Sequence, residues 1–188
     1  MNRRLLAVCA VTIVWLVGVS GVGHCDNERL AVVQDESSME RIVEHYLVDN
    51  HQLVVNEKTA ENDAQDMYLE LPFAAAGAVP AFRLAIDSQP LNTDPNTHQV
   101  IERGLLFNLY TGIVVPADKR AAALAVVNDW NKVKAFACVY IDTDGEVICS
   151  WIINVLADGL PTEYAYDAVA RMDNIWKGLH PKLAAALE

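Results

Sequence analysis

Residues 136–153 read Phe136-Ala137-Cys138-Val139-Tyr140-Ile141-Asp142-Thr143-Asp144-Gly145-Glu146-Val147-Ile148-Cys149-Ser150-Trp151-Ile152-Ile153. Two runs of β-branched and aromatic residues flank an Asp-Gly turn, the strongest local hairpin signal in the chain. Two registers are open. A two-residue loop at Thr143-Asp144 places Cys138 opposite Cys149, whereas a three-residue loop with Gly145 left-handed pairs Cys138 with Ser150. The first register makes a Cys138–Cys149 disulfide conceivable. Cross-strand disulfides demand tight geometry, so two buried cysteines packing as small apolar groups is the competing reading.

Working outward, Pro116 and Asp118 open a helix with Ala123, Val127 and Trp130 on one stripe, and Pro suits its first turn. Asn128 and Asn131 fall near its end, where side-chain amides can satisfy backbone groups left open as the chain enters the hairpin. Downstream, Pro161 opens a helix with Val169, Met172, Trp176 and Leu179 at helical spacing, and Pro181 is expected to interrupt it, leaving a short tail. Upstream, 105–114 is a strand with Leu105, Phe107 and Leu109 on one face and Leu106 and Tyr110 on the other. Residues 67–71 and 82–87 alternate apolar with polar, as strands with one wet face do. Gln52–Val55 suggests a short strand, 56–66 a polar loop, and 89–99 a flexible insertion dense in turn formers. Ser37-Ser38-Met39-Glu40 forms a capping box with Ser37 at the N-cap of a first helix carrying Met39, Ile42, Val43, Tyr46 and Leu47. Strands and helices do not alternate regularly, so an α+β domain is expected: an antiparallel sheet of five to six strands with three helices. The hairpin and the 105–114 strand are apolar on both faces. Three helices can cover one face, so the other needs further core or a partner.

Arg3 and Arg4 precede an uncharged run from Leu5 to Gly23, the pattern of a secretory signal peptide, with Gly21 and Gly23 placed for cleavage. A retained membrane anchor and lipidation at Cys25 are the alternatives, and membrane attachment is expected only in those two cases. The expected organisation is a leader over 1–23, an exposed lead-in over 24–36 and a single domain over 37–188. An exported, periplasmic or envelope protein follows. The 188-residue chain carries −11 in formal charge, and loss of the two leader arginines makes the remainder more acidic still. Such a surface repels phosphate backbones, which excludes nucleic acid as a partner class.

Asp142-Thr143-Asp144-Gly145-Glu146 resembles part of a calcium loop. The EF-hand register would place Tyr140 and Trp151 where oxygen ligands are required, so Asp142, Asp144 and Gly145 are turn formers. His45, His51, His98 and His180 show no metal-ligand spacing. Cys138 and Cys149 lie within apolar strands, which favours inert thiols. Neither a nucleophile elbow, a phosphate-cradling loop nor a dinucleotide fingerprint is present, so no catalytic residue, metal or cofactor is expected. Trp130, Tyr140 and Trp151 are candidates for a partner surface or a small-ligand pocket. The plainer reading is core.

Asn128-Asp129-Trp130-Asn131, Phe136-Ala137, Tyr140, Asp142-x-Asp144-Gly145 and Gly159-Leu160 together resemble the YbjN-like family of bacterial sensory transduction regulators, most clearly from Thr111 to Leu179. The resemblance implies a fold like that of type III secretion chaperones. Those are small, acidic, often dimeric proteins that hold partner segments against an apolar surface. It supplies no catalytic residues. The leader and the 89–99 segment depart from that pattern. A non-enzymatic protein-binding or regulatory module is therefore expected, with a protein partner or a second copy as its ligand. A small-ligand binder or enzyme is the alternative.

Overall fold

The computed structural model describes residues 29–32, 35–60, 63–133, 136–156 and 158–188; the leader, Cys9 and Cys25 lie outside them. In chain order the elements are β1 (Arg29–Leu30), α1 (Glu36–His51), β2 (Asn56–Ala60), β3 (Asp63–Phe73), β4 (Phe82–Thr93), β5 (Val100–Val114), α2 (Arg120–Val133), β6 (Cys138–Ile141), β7 (Glu146–Val155), β8 (Leu160–Pro161) and α3 (Glu163–Leu187). Six strands form one antiparallel sheet in the order β2-β3-β4-β5-β7-β6, and β1 pairs with β8 in a separate ribbon. The α+β class with three helices is the expected one.

Alternation along the strands sorts side chains by face. Leu69 and Leu71, Leu84 and Ile86, Leu105, Phe107 and Leu109, Cys149 and Val139 point one way and are buried. Onto them pack Met39, Val43 and Leu47 of α1, Ala123 and Val127 of α2, and Met172, Trp176 and Leu179 of α3. Each Val, Leu, Ile, Phe or Met among them removed from water contributes roughly 1.5–3 kcal/mol before conformational entropy is counted. The helices lie on this face alone.

Several expectations shift. The first helix is capped by Asp35, whose carboxylate accepts the Ser38 N–H at 2.7 Å, and not by Ser37. Glu40 is freed from the capping role and turns inward. The lead-in is not wholly exposed: Leu30 and Val32 are buried. Residues 52–55 carry no strand, while polar Asn56–Ala60 does, as the exposed outer strand of the sheet. The first part of the 89–99 segment is ladder, because β4 runs to Thr93 with register shifts beside Pro90 that accommodate its missing N–H, and the turn formers act only over 94–99. Asp94 closes the turn by accepting the Asn96 and Thr97 amides. Pro161 lies in β8, and α3 passes through Pro181 to Leu187, with buried Leu179 and Leu183 holding both sides of the proline against the core.

Candidate functional site

The hairpin closes in the three-residue form. Gly145 sits at φ +88°, and Asp142 Oδ1 accepts the Glu146 N–H at 2.8 Å. Cys138 therefore pairs with Ser150, and Val139 with Cys149. The two cysteines point to opposite faces and both are free, so the conceivable disulfide is not made. Burial pushes the Cys149 thiol up to about 12, aided by its neighbour Cys138, so it is a packing group beside Met172. Asp144 lies exposed in the turn.

Asn131 closes the outer edge of β6. Its amide nitrogen donates to the Val139 carbonyl at 2.7 Å, and its amide oxygen accepts the Val139 N–H at 2.9 Å. Asn128 is exposed on α2 and takes no part in this contact. At the other end of the hairpin, the Glu146 carboxylate accepts the Gly112 N–H at 2.8 Å, while Thr111 Oγ1 donates to the Val147 carbonyl. These bonds fix a bulge at Gly112, whose φ of +69° suits glycine.

The three aromatic candidates are not brought together. Trp151 faces the helices, with its ring 5.3 Å from Phe136. Trp130 packs between α2 and α3, where a Cβ on Gly178 would sit 2.9 Å from its ring. Tyr140 pairs with Ile148 and lies on the opposite face, 40% exposed. A pocket shared by Trp130, Tyr140 and Trp151 is ruled out by strand alternation: 151 and 140 fall on opposite sides of the pleat.

What the fold does assemble is the face away from the helices. Leu106 and Tyr110 of β5, Ile148 and Ile152 of β7, and Cys138 and Tyr140 of β6 line it side by side. Beside this apolar strip, Tyr68, Glu70, Arg83, Asp87, Asn108 and Tyr110 enclose a shallow groove of about 230 Å³. Arg83 bonds Glu70 at 3.4 Å and lies 4.8 Å over the Tyr110 ring. Burial raises the Tyr110 and Tyr140 hydroxyl pKa values, and the Arg83 charge opposes the rise at Tyr110. Both phenols therefore serve as neutral hydrogen-bonding groups. Sequence reading recognised a wet face on β3 and β4 but not this groove, because its members come from three strands whose order no short motif encodes.

Glu40 was also missed in this role. Its side chain is fully buried, and one carboxylate oxygen accepts the Ser88 N–H at 3.1 Å where β4 runs past the end of its pairing with β3. Desolvation first, then the neighbouring Asp87 and Glu36, raise its pKa to about 8, against the Ser88 hydrogen bond.

Fold and site define a two-layer α+β domain whose sheet is covered by helices on one face and bare on the other. Residues 99–171, from β5 into α3, match the model of the YbjN family, described as "putative bacterial sensory transduction regulator". That stretch holds the hairpin, the Asn131 contact and most of the bare apolar strip, and over it the chain is similar to that family. No curated protein matches the chain.

Proposed function

We propose that this protein is a non-enzymatic regulatory module of the bacterial cell envelope that holds an apolar, basic segment of another protein against its bare sheet face. The observation that carries the reading is that face: Leu106, Tyr110, Tyr140 and Ile152 lie together on it, opposite all three helices. Exposed apolar surface of this kind, in two rows with Asn108 and Ser150 between them, favours a covering partner. Glu70, Asp87, Glu102 and Glu146 stand around it against Lys58 and Arg83, of which Arg83 already bonds Glu70. The charge of −11 makes docking of a second copy repulsive and docking of a basic partner attractive. The family description supports a regulatory role. The leader, with Arg3 and Arg4 before its apolar run, supports export.

The test is photo-crosslinking in the native envelope with benzoylphenylalanine at Tyr140, compared with the same group at Ala122 on the exposed side of α2. A protein adduct formed from position 140, absent from 122 and lost on Leu106→Asp, is expected. Equal yields from both positions would remove the sheet face as the docking surface.

A further inference from the structure

The bare face meets one stretch of strand edge whose backbone groups face outward. Both backbone groups of Val139 point away from β7, since both are bonded to Asn131. Antiparallel ladders alternate, so Cys138 and Tyr140 direct their backbone groups toward β7, opposite Ser150 and Ile148. Ile152 and Asn154, two and four residues past Ser150, direct their N–H and C=O the same way. β6 begins only at Cys138, and among the described residues no strand pairs with this side of β7 beyond Ser150. The other side of β7 is fully occupied by β5, out to Val155 against Arg103. An open groove of about 580 Å³ adjoins this edge, lined by Phe136, Ala137, Cys138, Trp151 and Ile152 among others.

From this geometry we infer that β7 accepts an extended segment of a partner protein as an added strand, end to end with β6 and hydrogen-bonded to Ile152 and Asn154. The inference rests on the docking role proposed above and specifies its mode. A single side-chain amide can meet the outward groups of one residue, as Asn131 does at Val139, whereas an extended backbone meets those of Ile152 and Asn154 in register, which favours an extended ligand. Alternate side chains of the added strand then fall to the two sides of the sheet. One set meets Phe136 and Trp151, and the other meets Cys138 and Ile152. Glu102 of β5, which accepts the Asn154 side-chain amide at 2.6 Å, sets an acidic group one strand in from the edge and favours basic residues near it.

The experiment measures fluorescence anisotropy of a fluorescein-labelled (Lys-Val)4 peptide with the full chain. A (Lys-Pro)4 peptide of equal charge is the control, since proline lacks the N–H a ladder needs. Asn154→Pro removes one outward N–H from β7, while Asn154→Ala removes the side chain alone. The expected result is binding of (Lys-Val)4 that weakens at least tenfold in Asn154→Pro, stays within twofold in Asn154→Ala, and is absent for (Lys-Pro)4. In the unaltered protein the amides of Ile152 and Asn154 gain protection from exchange when (Lys-Val)4 is added, a readout that stands even where Asn154→Pro does not fold. Equal binding of the two peptides, no binding of (Lys-Val)4, or unchanged exchange at both amides overturns strand addition. Binding that is lost in Leu106→Asp yet unchanged in Asn154→Pro overturns it too, while leaving face docking intact. Sedimentation showing a dimer that Asn154→Pro dissolves replaces the partner segment with a second copy and overturns the proposal.

Discussion

Glu40→Gln is expected to stabilise the protein at alkaline pH and to leave it nearly unchanged in mild acid. The side chain is fully buried, its carboxylate accepts the Ser88 N–H, and Asp87 and Glu36 stand beside it. Burial raises its pKa from 4.5 to about 8, so between those values the folded chain binds a proton that the unfolded chain releases. Stability from this group is present in full below about pH 4.5 and is lost as pH rises toward 8. At about 1.4 kcal/mol for each tenfold change in proton affinity, the whole loss is at most about 5 kcal/mol. Glutamine keeps an oxygen for Ser88, offers N–H groups to Asp87 and carries no charge. Urea unfolding of both proteins at about pH 5, 6.5, 8 and 9 gives the difference directly. Glu40→Gln should lie within about 1 kcal/mol of the parent at the lowest pH and exceed it by about 2–5 kcal/mol at the highest. A gap that stays constant across the series, or a variant weaker throughout, would show that Glu40 is ionised in the folded protein and refute the reasoning.

Two further outcomes follow from the hairpin. Asn131→Ala removes both hydrogen bonds to the Val139 backbone, leaving a donor and an acceptor without those partners at a cost of about 1–3 kcal/mol, measurable as a lower urea midpoint at unchanged slope. Asn128→Ala, on the exposed side of the same helix, should stay within about 0.5 kcal/mol. Alkylation of the native protein followed by peptide mapping should modify exposed Cys138 and spare Cys149 until denaturant is added. A disulfide-linked 138–149 peptide would overturn the register itself.

Much of the fold was legible because strong periodicity coincided with burial. Val169, Met172, Trp176 and Leu179 read as one helical stripe and are all buried. The hairpin was legible as a hairpin, but its register was not, since Asp142-Thr143-Asp144-Gly145 admits two loop lengths. The fold chose the longer loop, where left-handed Gly145 also gives its carbonyl to the Val115 N–H at 2.9 Å. β2 was illegible because Asn56-Glu57-Lys58-Thr59-Ala60 lacks the apolar alternation that marks a strand, and as an outer strand it buries little. The Asn-x-x-Asn pair announced a helix end, yet only Asn131 meets the hairpin, at Val139, while Asn128, most of a turn earlier, is exposed. By sequence Glu40 suits a capping box because Ser37 lies three residues before it. Asp35 competed successfully for the cap, and burial then decided what Glu40 does.

The strand edges show why the bare stretch of β7 stands apart. β2 protects its margin of the sheet with exposed Asn56, Glu57, Lys58 and Thr59, a polar rim that discourages pairing. Where β4 runs past its pairing with β3, the buried Glu40 carboxylate takes the Ser88 N–H in place of a strand. β6 is closed by Asn131, one side chain satisfying a donor and an acceptor together. Each of these devices costs something: a charged strand with little burial, a carboxyl held out of water, or an asparagine fixed at a helix end. At Ile152 and Asn154 no comparable group among the described residues meets the backbone, and the side chains beside it are apolar Ile152, Phe136 and Trp151. Among the described residues, the stretch at Ile152 and Asn154 carries none of these three devices and lies beside the apolar face, the arrangement that strand addition requires. That contrast makes the exchange of the Ile152 and Asn154 amides the most discriminating single measurement on this protein.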